Sequence, residues 1–140
     1  MKSLSTLIKL QKTFVDQQRL VLAKLQERLD LIERAIIGLE AQKAHEQIIT
    51  KKDPALAVTY GAYLKQALYQ GRLLEKERQA AIVAVNAARD KLAELFEEQK
   101  RYEIAEEARR AADEREELKR ETAELDEIGG VTHERRKTSK

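Results

Sequence analysis

The stretch Ile8-Lys9-Leu10-Gln11-Lys12-Thr13-Phe14-Val15 opens an apolar row that recurs every seven residues, at Ile8, Val15, Leu22, Leu29 and Ile36. A second row, four residues earlier at each step, runs through Leu4, Gln11, Gln18, Leu25, Ile32 and Leu39. Alternating steps of three and four put both rows on one narrow stripe of an α-helix, the pattern of a coiled coil. Such a stripe needs a second helix to cover it and forms no pocket. The polar Gln11 and Gln18 interrupt it, which lowers stability and fixes register.

Composition agrees with that reading. Hydrophobic residues make up 42% of the 140, charged residues 37% and aromatics 4%, with one proline and five glycines. Long helices, rather than a globule built around aromatics, have this balance. Without cysteine there is no disulfide or thiolate chemistry. No apolar run reaches the roughly 18–20 residues that span a bilayer, so direct membrane insertion is not expected. The formal net charge is +2, but it is unevenly placed. Residues 1–52 are basic by about four, 97–128 acidic by about six, and the tail from Gly129 basic by about three.

The lone proline lies in Thr50-Lys51-Lys52-Asp53-Pro54. Asp-Pro suits an N-cap followed by the first helical position, because proline lacks the amide that a helix start leaves unpaired anyway. One helix is therefore expected over about 4–50, capped near Ser3 or Ser5. A turn follows over about 51–59, and a second, longer helix over about 60–128. The second helix carries its own three-four track through Tyr60, Leu64, Ala67, Gly71, Leu74, Arg78, Ala81, Val85, Ala88, Leu92, Leu95, Gln99 and Tyr102. Beyond Tyr102 the phase changes: Ile104, Ala111, Leu118 and Leu125 keep the seven-residue repeat with companions Arg115 and Thr122. Gly129-Gly130 is expected to end the helix and leave 129–140 as a disordered basic tail.

The fold expected is all-α, a long two-helix antiparallel coiled coil with the second helix longer. A basic first helix folds back onto an acidic part of the second, and residue i faces about 106 minus i. Residues beyond about 104 then have no partner within the chain. Acid-before-base pairs such as Glu106–Arg110 and Glu116–Arg120 keep that stretch helical.

Motifs for catalysis are missing: no phosphate-binding glycine loop, no HExxH and no Cys/His spacing. His45 and His133 each lack a second ligand at helical spacing, so no metal or cofactor is expected. The basic tail has no interleaved aromatics and follows an acidic helix, which argues against nucleic acid. Apolar residues pointing outward near the turn are more informative. Ile37, Tyr63, Tyr69 and Leu73 form a candidate partner patch.

The layout resembles the FliJ family of flagellar export proteins. The resemblance is carried by Glu97-Glu98-Gln99-Lys100-Arg101-Tyr102-Glu103, the Glu/Arg/Ala run after it, and Leu125-Asp126-Glu127-Ile128. The Leu4-to-Leu22 opening and the Tyr60–Tyr63–Leu64 start of the second helix also contribute. It implies a non-enzymatic, stalk-like coiled coil of the type III export apparatus. Such a protein is cytoplasmic, peripheral at the inner membrane, and a monomer or weakly self-associating. It binds the hexameric export ATPase, promotes ring assembly, and contacts the export gate membrane protein and export chaperones. The family's gate surface maps onto Tyr63, Ala67, Gln70 and Leu74, although Ala67 and Leu74 also fall on the hairpin seam. Leu39, Gln42 and Glu46 stand on the first helix where the family often has aromatics. The ATPase contacts implied at the chain ends are Leu4, Tyr102, Ile104, Leu118, Leu125 and Ile128. An injectisome stalk, with the same architecture, and a generic coiled-coil scaffold or tether are the alternatives.

Overall fold

The computed structural model describes residues 2–138, and is helical almost throughout. Helix α1 spans Lys2–Lys52 (51 residues) and α2 spans Ala57–Thr138 (82 residues). A single 3-10 turn, Pro54–Leu56, separates them. The expected all-α helical hairpin with a longer second helix is the fold observed.

The reversal forms as the Asp-Pro pair dictates. Asp53 adopts an extended conformation (φ −135, ψ 98) and its Oδ1 accepts from the Ala55 amide at 3.1 Å. The amides of Asp53 and Leu56 donate to Ile49 O and Asp53 O at 3.2 and 3.1 Å. The break is tighter than the expected 51–59. Thr59 and Gly61 lie inside α2, because one proline with its cap suffices to turn the chain. Helix α1 begins at Lys2, so Ser3 and Ser5 sit inside its first turn instead of capping it.

The chain divides into two compact units: Thr13–Phe96, and Met1–Lys12 with Glu97–Lys140. The first is a helical hairpin around the reversal. Its interior holds Val15, Ile32, Leu39, Ala67, Ala81, Val85 and Ala88, all on the two three-four tracks. Leu39 Cδ2 lies 3.6 Å from where a Cβ on Gly71 would stand, so the two seams meet there at ordinary contact distance. The buried Gln18 donates to Ala88 O at 3.1 Å, which satisfies its amide in an apolar seam. Gln18 and Ala88 meet in the expected register, whereas nearer the reversal Leu39 meets Gly71, about one helical turn beyond Ala67.

In the second unit the start of α1 packs on the middle of α2. Gln11, 4% exposed, donates to the Glu98 carboxylate at 3.1 Å. Ile8 borders a hollow lined by Glu103, Glu106, Glu107 and Arg110. Among the described residues no apolar side chain of this unit is buried as deeply as those of the hairpin, since Leu4, Ile8 and Tyr102 remain partly exposed.

Helix α2 does not stop at Gly129-Gly130. Both glycines keep helical geometry, with no positive φ among the described residues. The expected disordered tail is therefore helix as far as Thr138, and Ser139 and Lys140 lie outside the described residues. Glycine weakens a helix by about 1 kcal/mol relative to alanine but ends one only by adopting a left-handed cap. Here no such cap forms.

Candidate partner-binding surfaces

Two sets of residues were singled out as contacts, one near the reversal and one toward the chain ends. The structure sorts each by helical face. Near the reversal, Ala67 is 2% exposed and Leu74 half-buried; both belong to the hairpin seam. Tyr63 is half-buried and stacks, tilted, on Tyr60 with ring centroids 6.4 Å apart. Its buried hydroxyl has no hydrogen-bond partner. Burial, with Glu46 nearby, pushes its pKa up.

Gln70 follows Tyr63 by seven residues and shares its flank of α2. Tyr69 and Leu73, at 56% and 45% exposure, stand four apart on the outer side of that helix. Ile37, 69% exposed, projects from α1 between Glu33 and Glu40, along the other flank of the hairpin. The residues near the reversal thus spread over three faces, and Ile37 is not on the Tyr63 flank. The seven-residue track alone could have separated them, because Ile37 follows one seam row by a single step and Gln70 precedes the other.

Toward the chain ends, Tyr102 continues the α2 seam and is half-buried, as is Leu4 on α1. The seam then runs on through Glu106 and Arg109, not through Ile104, which is 57% exposed. Sequence reading missed Glu106 and Arg109 because both are charged. Their signal was the unbroken three-four spacing from Tyr102. Arg109 donates to Glu106 at 2.7 and 3.2 Å and to Asp113 at 2.8 Å, and Arg110 donates to Glu106 at 3.2 Å. These bonds hold the Glu106 carboxyl at about 2, well below its ordinary value.

From Ala112 to Arg136 every residue is exposed, Leu118 at 65%, Leu125 at 68% and Ile128 at 63%. Ile104, Ala111, Leu118 and Leu125 keep seven-residue spacing, yet Ile104 lies two steps past Tyr102 and so on the side of α2 turned away from its seam. The stretch has i,i+4 support from Arg120–Glu116 at 3.9 Å and from the Thr122 and Thr132 hydroxyls, which donate to Leu118 O and Ile128 O. Among the described residues no cluster of three or more metal-ligating side chains occurs, and no helix is long and apolar enough to cross a membrane.

Two long helices joined by one short turn, with seams of three-four spacing, define a coiled-coil protein. A family model described as the flagellar FliJ protein matches residues 1–138, and the chain belongs to that family. It is a flagellar, type III export-associated protein of a non-catalytic family of export components. Neither the curated proteins nor the solved structures contain a match.

Proposed function

We propose that this protein is the non-enzymatic stalk of the flagellar export machinery. In this reading it binds the hexameric export ATPase, promotes assembly of its ring, and couples the ring to the export gate and to substrate chaperones. It works in the cytoplasm, held at the inner membrane through the apparatus. Family membership supports the setting. The observation that carries the mechanism is the exposed helix of residues 112–136, with Leu118, Leu125 and Ile128 uncovered.

A single helix inside a six-fold ring meets its subunits differently, so it can favour some of their conformations over others. Coupling requires that difference in affinity. Ile104, Leu118, Leu125 and Ile128 supply the ring contacts. Leu4 and Tyr102, half-buried, hold the start of α1 against α2. Tyr63 and Gln70, with Tyr69 and Leu73 beside them, face the gate; Ala67 and Leu74 shape that surface from within, and Ile37 offers a separate contact. The protein itself hydrolyses nothing. The flagellar description of the matching family favours this setting over an injectisome.

Adding the purified protein to the export ATPase tests the proposal through hexamer formation and ATP turnover. Both are expected to rise, and Leu118→Glu with Leu125→Glu to abolish the rise while helicity by circular dichroism stays unchanged. A wild-type protein that alters neither quantity is a scaffold or tether instead. Tyr69→Asp with Leu73→Asp is expected to abolish motility and leave ATPase stimulation intact. Normal motility in that variant removes the gate surface.

A further inference from the structure

The two flanks of the Thr13–Phe96 hairpin differ. On one, the Arg19 guanidinium lies over the Phe96 ring, 5.1 Å from its centroid, and Arg78 reaches Glu33 at 3.7 Å. Side chains bridge the two helices there and close the groove. On the other flank, one position before the Val15–Leu22–Leu29 row, Phe14 and Val21 remain 42% and 46% exposed. They line a hollow with Gln18, Lys91 and Leu95. Further along the same flank, Leu25 and Arg28 line a second hollow floored by Ala80, Ala81 and Ala84. Apolar and small side chains line both hollows, which open on the same flank. Of the charged side chains that line the two hollows, Arg28 and Lys91 are basic and Glu77 alone is acidic.

The chain also carries a helix of the opposite character. Residues 112–128 hold eight acidic and three basic side chains around the uncovered Leu118 and Leu125. Leu118 and Leu125 stand seven residues apart, about 10.5 Å along one side of the helix. Two such acidic segments repel each other, whereas the hairpin groove offers apolar hollows with a basic surround.

We propose that residues 112–128 of one copy dock in the Phe14–Val21–Leu95 groove of a second copy. Leu118 and Leu125 enter the hollows, and the glutamates beside them face Arg28 and Lys91. This contact does not depend on the ATPase reading. If both hold, the same leucines serve both contacts, so self-docking keeps the apolar extension covered until a ring displaces it.

The test is sedimentation of the full chain over about 1–200 µM, a range that spans weak to moderate affinities. Mass is expected to rise above the monomer with concentration, and the rise to shrink as salt screens the charges. Leu118→Glu/Leu125→Glu, and separately Val21→Glu/Lys91→Glu, should each stay monomeric with unchanged helicity. Mixing these two variants should restore a one-to-one complex, because one supplies the groove and the other the helix. Lys91→Glu alone, an exposed change, should weaken association about tenfold, which keeps the test valid if Val21→Glu disturbs the fold. Three results each overturn the proposal: a monomeric wild type throughout, association that survives both double variants, or a mixture that stays monomeric.

Discussion

Glu106 shows how a charged side chain comes to occupy a position that periodicity reserves for apolar ones. Its side chain is only 13% exposed, and three nitrogens of Arg109 and Arg110 donate to it. The Arg109 hydrogen bonds lower its carboxyl from 4.5 to about 2. A carboxyl depressed in the folded state stabilises that state when ionised. The contribution is therefore complete above the ordinary carboxylate range and is lost as pH falls toward about 2. Glu106→Gln is expected to lower the thermal midpoint at pH 7, the difference from wild type closing by pH 2. Equal midpoints at pH 7 would show that the network contributes nothing. At Gly71 the nearest side-chain atom stands at ordinary contact distance from a new Cβ. Gly71→Ala should thus raise the midpoint, since helix propensity favours alanine by about 1 kcal/mol and no clash opposes it.

At the scale of the element, α2 is the unusual one. Its seam is covered only over part of its length, and beyond Ala111 its backbone rests on local support. Gly129 and Gly130 are the weakest point of that stretch, and nothing lies within 4 Å of a Cβ added at either. Gly129→Ala with Gly130→Ala should therefore strengthen the helix. Carbon chemical shifts for 131–136 should move toward helical values and amide exchange there should slow. Unchanged shifts would mean that the glycines are not what limits the helix.

For the whole molecule, protection from amide exchange should follow burial. Among the described residues all the buried apolar side chains lie within Thr13–Phe96, so amides there are expected to exchange slowest. Those of 112–136, where every residue is exposed, should exchange fastest. Uniform protection along α2 would contradict the division. The seam was legible in the sequence residue by residue, from Ile8 to Ile36 and from Tyr60 to Tyr102, because helical period alone decides which side chains face a partner. The end of α2 was not, since a glycine pair reads as a stop unless the absence of a left-handed cap is known. The spread of Ile37, Tyr63 and Tyr69 over separate faces was legible too, in their offsets from the two seams, although outward exposure alone does not give it. Partner contacts were legible only through family resemblance, as helix faces carry no chemistry of their own.

The hydrogen bond from Gln11 to Glu98 joins residues 87 positions apart, and that separation matters during synthesis. A ribosome adding roughly 5–20 residues per second passes Gln11 roughly 4–17 s before it reaches Glu98. Pairing can only start at the Asp53–Pro54 corner and zip outward, so the opening turns of α1 are translated first and find their mates last. For those seconds the nascent chain displays an apolar ribbon whose intramolecular mate has yet to be made.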